Sequence, residues 1–532
     1  MHWADVVAVN LAKRGNSHIV STGITPSGEF HIGHLREILT GDMIAKTARK
    51  HGMDVEFIFI VDDADPLRRV YPFLHEDYHQ YIGHQIGNIP APDEDGKPDI
   101  EGFEKSGRNY ADHFLQPFLQ ALEKIDVKPK IIKNLESYNS GKFSETIKIA
   151  CDRADDIREI IERVSGRELN KSWFPWSPVD SSGSLEGVTV TGYEYPHVFF
   201  TDSSGNEGVS DITEGKGKLP WRIDWPAKWA WIGVSCEAFG KDHGASGGSY
   251  DTGKEISELF SYQAPYPLVY EWISLKGQGA MSSSHGNTIG PMEALELVPA
   301  EILRYLIAQS KPNKAIEFDA GMSLVNLADE YERVSARDFI EELNDDSLSR
   351  RRRVQIEDAK GAVELSRINN SDNSESTRVS FRHLALLAQT KSSDDLIWKS
   401  LGFNVSEEVP EMLLERLEKM KNWINSKHFP DEMRITILDE PNMEMVANFG
   451  QDEKAVLENM YHKLCDCMWD AKTIGNAIVE SAKELDLSAK IGYNVAYACL
   501  MGTQRGPRLA PILVELERNK ITNLLKNSRD LL

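Results

Sequence analysis

The chain has 532 residues, a formal net charge of −23, 41% hydrophobic residues and 27% charged residues. That length supports a large core and two to four domains, and the acidic balance excludes indiscriminate nucleic-acid binding while leaving room for one local basic surface. No run reaches the roughly 18–20 apolar residues of a membrane span, and the five cysteines, with no paired CxxC framework and no export signal, fit reduced thiols in a cytoplasmic protein.

Ser17–Ser21 carries Ile19 and Val20 and reads as a short strand. A Gly/Pro-rich turn follows over Thr22–Gly28, then His31-Ile32-Gly33-His34 and a helical pattern at Leu35–Lys50. Strand, turn and helix in that order bring backbone N–H groups and a helix N-terminus to an anion. His31 and His34 share a face, and Gly33 leaves room for a flat ligand against the backbone. Val55–Val61 predicts a buried parallel strand. It ends in Asp62-Asp63-Ala64-Asp65, which either faces a ligand at the carboxyl edge of a sheet or caps a turn.

Residues 88–108 read as loop, 110–125 and 143–165 as helices, and Gly187–Tyr195 with Pro196–Ser203 as a hairpin inside an insertion. The α/β pattern resumes near Leu219, with strands at Val234–Phe239 and Leu268–Ile273 and a helix at 253–262. Lys276–Asn287 is a second Gly/Ser loop, suited either to closing over phosphates or to a plain surface. Helical spacing returns at 300–310 and 327–342, and beyond Asp345 helices alternate with polar linkers. The expected fold is an α/β Rossmann-like nucleotide-binding domain with an inserted α+β domain, followed by an all-α C-terminal domain. The expected divisions are 1–90 and 219–295 for the catalytic domain, 91–218 for the insertion, 296–345 for a helical junction and 346–532 for the tail.

The two loops resemble the HIGH and KMSKS signatures of class I aminoacyl-tRNA synthetases, at His31–His34 and Met281-Ser282-Ser283-Ser284-His285. Trp3-Ala4-Asp5, Asp62–Asp65, Leu219–Trp229, Phe239–His243, Gly247–Gly253, Tyr270-Glu271-Trp272 and Gly506-Pro507-Arg508 resemble, in order, the archaeal-type class I lysyl-tRNA synthetases. The resemblance implies a lysine–tRNA ligase using ATP with Mg²⁺, whose partners are lysine and lysine tRNA, with no membrane and no obligatory protein partner. It implies catalytic roles for His31, His34 and Met281–His285, and ATP contacts from Pro26, Ser27, Gly28, Gly33 and the serines 282–284. It places Gly23, Thr25, Trp221, His243 and Tyr270 around lysine, with Asp242 and Glu37 as candidate carboxylate partners. The helical tail resembles an anticodon-binding domain, and Arg350, Arg351, Arg352, Arg353, Arg505 and Arg508 are candidates for tRNA phosphates.

Two departures stand out. Neither KMSKS lysine is present, the positions reading Ala280 and Ser283, and His285 stands where relatives carry lysine. The turns at Asp180–Gly183 and Asp202–Gly205 keep knuckle glycines without thiolates, so no structural zinc is expected. The alternatives are a tRNA-binding protein of synthetase origin with weak catalysis, or a class I synthetase for another amino acid.

Overall fold

The computed structural model describes residues 1–275, 279–280, 289–368, 379–403 and 409–532. They divide into two compact units. The first holds Met1–Leu295, Ala300–Phe318 and Arg337–Asp372, and the second Glu296–Pro299, Asp319–Ala336 and Asn373–Leu532.

In the first unit, helix α1 (Trp3–Ala12) leads into strand β1 (Ser17–Ile24), helix α2 (Ile32–Lys50) and strand β2 (Asp54–Val61). Phe57–Val61 is buried without interruption, as expected of a parallel strand covered on both faces. Helix α3 (Tyr110–Lys124) and strand β3 (Lys130–Lys133) follow, then helix α4 (Ala154–Ser165). Later come helix α5 (Trp221–Ile232), strand β7 (Cys236–Gly240), helix α6 (Ser249–Leu259) and strand β8 (Tyr266–Tyr270). Between α4 and α5 lies an antiparallel meander, β4 (Thr189–Glu194), β5 (His197–Thr201) and β6 (Glu207–Asp211).

The five-stranded sheet runs β8-β7-β1-β2-β3, parallel throughout. Chain order reverses at β1, whose neighbours are β2 and the much later β7. At such a point the crossovers leave to opposite sides and a crevice opens at the carboxyl ends of the strands. Gly23 and Ile24 end β1, Phe239 and Gly240 end β7, Asp62 follows β2, and Tyr270 ends β8.

Several elements differ from the sequence reading. The stretch 91–218 returns a strand to the sheet, because Lys130–Lys133 pairs with Ile58–Val61. Residues 143–165 form two helices, Ser144–Asp152 and α4, broken at Arg153. Leu268–Ile273 is split. β8 ends at Tyr270, and β9 (Ile273–Leu275) joins a separate sheet beside β10 (Ile316–Phe318). The cause is the return of 312–316, where Pro312 O accepts from Glu271 N and Trp272 O accepts from Ile316 N. Helix α7 (Arg350–Ser366) belongs to the first unit, although 346 begins the tail in the sequence reading.

Among the described residues the second unit contains helices and no strand. Its main core packs α8 (Gln451–Asp466), α9 (Ala471–Lys483), α10 (Ala489–Met501) and α11 (Arg518–Asp530) through Leu457, Met460, Ile478, Val495, Leu500 and Leu525. Gly492 permits close approach of α9 and α10: a Cβ there would lie 2.4 Å from Ile478 O.

Candidate active site

Imidazoles close the first turn of α2, where a hydroxyl or carboxylate usually serves. His31 Nδ1 accepts from Gly33 N at 3.1 Å, and His34 Nδ1 accepts from His31 N at 3.0 Å. A ring nitrogen that accepts is unprotonated, so each imidazole carries its proton on Nε2. Burial pushes His31 down to about 4 and His34 to about 3, with His31 adding to the shift at His34. The helix mouth therefore offers two neutral N–H donors at pH 7, beside the positive end of the helix dipole. Phe30 backs His34 at 5.0 Å and stacks on Phe118 at 4.2 Å. A Cβ on Gly33 would sit 2.7 Å from the His31 ring, so the glycine is what lets His31 fold back over the turn. The preceding turn is pinned from α3: Tyr110 Oη donates to Ser27 O at 2.8 Å, and Ser27 N donates to Thr25 O at 2.8 Å, with Pro26 buried and Gly28 half-buried.

Two adjoining cavities share His34 and Glu37. One of about 660 Å³ is lined by Gly23, Thr25, Trp221, His243 and Glu237 among others, and one of about 290 Å³ by His31, Gly33, Tyr270, Trp272 and Ile273. Glu37 sits where they meet. Its Oε1 accepts from Gly23 N (2.8 Å) and its Oε2 from Tyr270 Oη (2.7 Å), and burial raises its pKa to about 7. The cavity wall is a stack. His243 lies 5.0 Å from Trp221, which lies 5.2 Å from Trp225, at interplanar angles of 30° and 28°. Glu237 holds the base of that stack, accepting from Trp225 Nε1 at 2.9 Å and from Trp229 Nε1, and burial lifts it to about 8. Asp242 is half-exposed, 3.5 Å from His243, and lines neither cavity.

The aspartates after β2 are committed to the protein. Asp62 pairs with Lys228, which reaches Asp224 at 2.8 Å; Lys218 lies 3.0 Å from Asp65 and 3.5 Å from Asp224. Tyr138 Oη donates to Asp224, Asn134 Nδ2 to Asp62 (3.3 Å), Thr25 Oγ1 to Asp65 (2.7 Å), and Leu135 N to Asp63 (2.7 Å). Burial raises Asp62, while at Asp224 the two lysines outweigh burial and hold it below its ordinary value. These carboxylates thus face lysines and backbone and are not a metal cage. Among the described residues no His, Cys, Asp or Glu group of three or more could hold a metal ion.

The knuckle-like turns are closed by their own acids. Asp180 accepts from the backbone N–H groups of Ser182 and Ser184, and Asp202 from those of Ser204 and Asn206. Arg350, Arg351 and Arg352 are exposed in the first turn of α7, whereas Arg353 is spent on Leu343 O at 3.1 Å. Arg505 and Arg508 are exposed in the second unit, flanking Gly506 and Pro507, whose carbonyls accept from Tyr497 Oη. Met281, Ser282, Ser283, Ser284 and His285 lie outside the described residues. Sequence reasoning missed Glu237, Lys218 and Lys228. For Glu237 and Lys228 the one local signal is a charged residue inside an apolar, aromatic run, whereas Lys218, in Gly-Lys-Gly-Lys-Leu, carries none.

A parallel sheet that reverses at β1, with an anion-ready helix mouth and a deep cavity beside it, defines an α/β nucleotide-binding enzyme domain. The chain belongs to the family described as "tRNA synthetases class I (K)", whose model matches residues 1–361. It is 36% identical over 523 residues to a lysine–tRNA ligase of Thermoplasma volcanium, spanning 98% of this chain and 97% of that one. Its identity is 37% to a lysine–tRNA ligase of Picrophilus torridus (98% of each chain) and 40% to one of Methanosarcina barkeri (97% of this chain, 96% of that one).

Proposed function

We propose that this chain is a lysine–tRNA ligase that forms lysyl-adenylate from lysine and MgATP and passes the lysyl group to the 3′ end of lysine tRNA. The observation that carries the reading is Glu37, a half-buried carboxylate between an anion-binding helix mouth and an aromatic-walled cavity, in a chain of the class I (K) family. Free lysine brings an ammonium, an apolar stem and a carboxylate that must meet a phosphate. Glu37 and Tyr270 suit the ammonium, Trp221 and His243 the stem, and Gly23 and Thr25 lie on the wall between.

In the first step a lysine carboxylate oxygen bonds to the α-phosphorus of ATP, the α–β bridging bond breaks, and pyrophosphate leaves with its charge. The Nε2–H groups of His31 and His34 and the N-terminus of α2 supply preorganised donors for charge developing on the phosphates. Because both imidazoles are held neutral, they donate hydrogen bonds without adding a full charge. Pro26, Ser27, Gly28 and Gly33 flank that mouth on the ATP side, and the loop carrying Met281–His285 would attend the leaving group. In the second step a ribose hydroxyl of the tRNA attacks the activated carbonyl and AMP departs. Magnesium enters as part of the MgATP substrate. The inserted domain folds without zinc, its turns closed by Asp180 and Asp202. Arg350, Arg351, Arg352, Arg505 and Arg508 meet tRNA phosphates, while Arg353 serves the fold through Leu343 O, and the second unit reads the anticodon.

The test is pyrophosphate exchange with each amino acid in turn, run with lysine tRNA present. Exchange with lysine alone is expected. Exchange with a different amino acid but not lysine reassigns the substrate, and tRNA binding without exchange leaves the binding-protein reading.

A further inference from the structure

The 660 Å³ cavity is larger than one amino acid requires, and one part of its lining has no role in the reading above. Arg68 from the loop after β2, Arg167 just beyond α4, and Arg222 in the first turn of α5 all line it, together with Leu169 and Trp173. Arg68 and Arg167 are exposed at this wall and form no ion pair among the described residues, in a chain whose net charge is −23. Among the described residues Arg222 donates only to the hydroxyl of Thr252, at 3.2 Å. Arg167 lies close enough to Arg222 to depress its pKa, adding to the effect of burial. Two guanidinium groups that line one cavity, neither in an ion pair among the described residues, lack the anion that would offset their repulsion.

The segment that carries Arg167 and Trp173 is held in place. Gly166 closes α4 in the left-handed conformation, with φ at 67°. Arg158 then grips the following loop through the carbonyls of Asn170 (2.8 Å), Lys171 (3.3 Å) and Trp173 (2.8 Å), and its guanidinium lies 5.4 Å over the Trp173 ring. A half-buried indole backed by a cation and flanked by unpaired arginines is the combination that holds single-stranded nucleic acid, by base stacking and phosphate contact.

We propose that Arg68, Arg167 and Arg222, with Trp173, hold the backbone phosphates and one base of the unpaired 3′ end of the tRNA, steering its terminal ribose toward the lysyl-adenylate. The proposal rests on the ligase reading. It places the acceptor end in the same cavity as the amino acid, entering over residues 167–173.

The same guanidinium groups could instead serve the triphosphate of ATP, so the experiment separates the two sources. Affinities of wild type and the Arg68→Ala/Arg167→Ala double variant are measured for intact lysine tRNA and for the same tRNA shortened by its unpaired 3′ nucleotides. A non-hydrolysable ATP analogue carrying all three phosphates is titrated in parallel, with lysine present. Wild type is expected to bind the shortened tRNA about tenfold more weakly, and the variant to bind intact tRNA as weakly as wild type binds the shortened one, with less than a twofold further loss on shortening. The salt dependence of tRNA affinity is expected to lose about 1.4 units of log–log slope, two single-strand phosphate contacts. Analogue affinity should stay within twofold. Penalties that multiply, intact binding by the variant, or a tenfold loss of analogue affinity would each overturn the proposal. Failure of wild type itself to bind the analogue would instead strike the ligase reading. Trp173→Phe is expected to retain most of the tRNA affinity that Trp173→Ala loses, which a purely packing role for the segment would not require.

Discussion

Beneath the cavity, Asp62, Asp65 and Asp224 are matched to Lys218 and Lys228, and Tyr138, Asn134 and Thr25 donate to the same carboxylates. On its rim, Arg68 and Arg167 stand without a carboxylate among the described residues. Charges of the first kind are buried, satisfied from several elements at once, and fix the carboxyl edge of the sheet. Charges of the second kind stand out to solvent, Arg167 on a loop that Arg158 grips. Glu37 is intermediate: half-buried where the two cavities meet, with neutral partners, Gly23 N and Tyr270 Oη, which leave its charge without a counter-ion. Pairing, rather than burial or charge alone, separates scaffold from site.

The largest effect should come from unpairing the floor. Lys228→Met leaves Asp62 and Asp224 buried without their shared cation and is expected to cost about 3–5 kcal/mol in urea unfolding followed by tryptophan fluorescence. A loss below about 1 kcal/mol would mean the network is not structural. Next is the helix mouth. His34→Ala removes the neutral donor proposed for the phosphates and should slow adenylate formation by about 10²–10³-fold in single-turnover measurements. The cost in stability is that of a cap, about 1 kcal/mol. Activity near wild type would remove the phosphate role. Glu37→Gln keeps the shape of the pocket and loses its charge. The lysine KM is expected to rise about 10–100-fold, as for a lost charge-assisted hydrogen bond of about 1.5–3 kcal/mol, while the KM for ATP moves little. The smallest effect is at α7, where arginines occupy the positive end of a helix. Replacing Arg350, Arg351 and Arg352 by alanine should stabilise the protein by a few tenths to about 1 kcal/mol per charge while weakening tRNA binding a few-fold. A loss of stability would show that those side chains serve the fold.

The strand–turn–helix unit proposed to face the nucleotide was legible as structure because it is local. Gly23–Gly28, His31, Gly33 and His34 fall within one strand–turn–helix unit, and β2 announces itself as an apolar run. The floor was not legible, since Asp62 meets Lys228 across 166 positions and no spacing rule links them. β3 escaped notice because Lys-Ile-Ile-Lys is four residues long and half-exposed at the edge of the sheet. Helix α5 did so for the opposite reason. It is buried on nearly every side and contains Pro226, so it carries neither an amphipathic period nor a clean helical composition. The join of β8 and β9 read as one strand because the turn at Glu271-Trp272 is set by Pro312 and Ile316, remote in sequence.

The pocket's central claim is that Glu37 is the counter-charge for lysine. Its pKa, lifted to about 7 chiefly by burial and further by Asp62 and Asp242, means it is mostly protonated at pH 6 and mostly ionised at pH 8. A cation binds the ionised form, so affinity must rise with pH. Glu237, lifted to about 8 and capped by two indoles, adds a later and smaller rise common to wild type and variant. Calorimetric titration with lysine across that range, for wild type and Glu37→Gln, measures it directly. Wild type should gain about tenfold in affinity between pH 6 and 8 from the ionised fraction of Glu37, and the variant only the smaller, later rise that Glu237 gives to both. Equal profiles for the two proteins would contradict the claim.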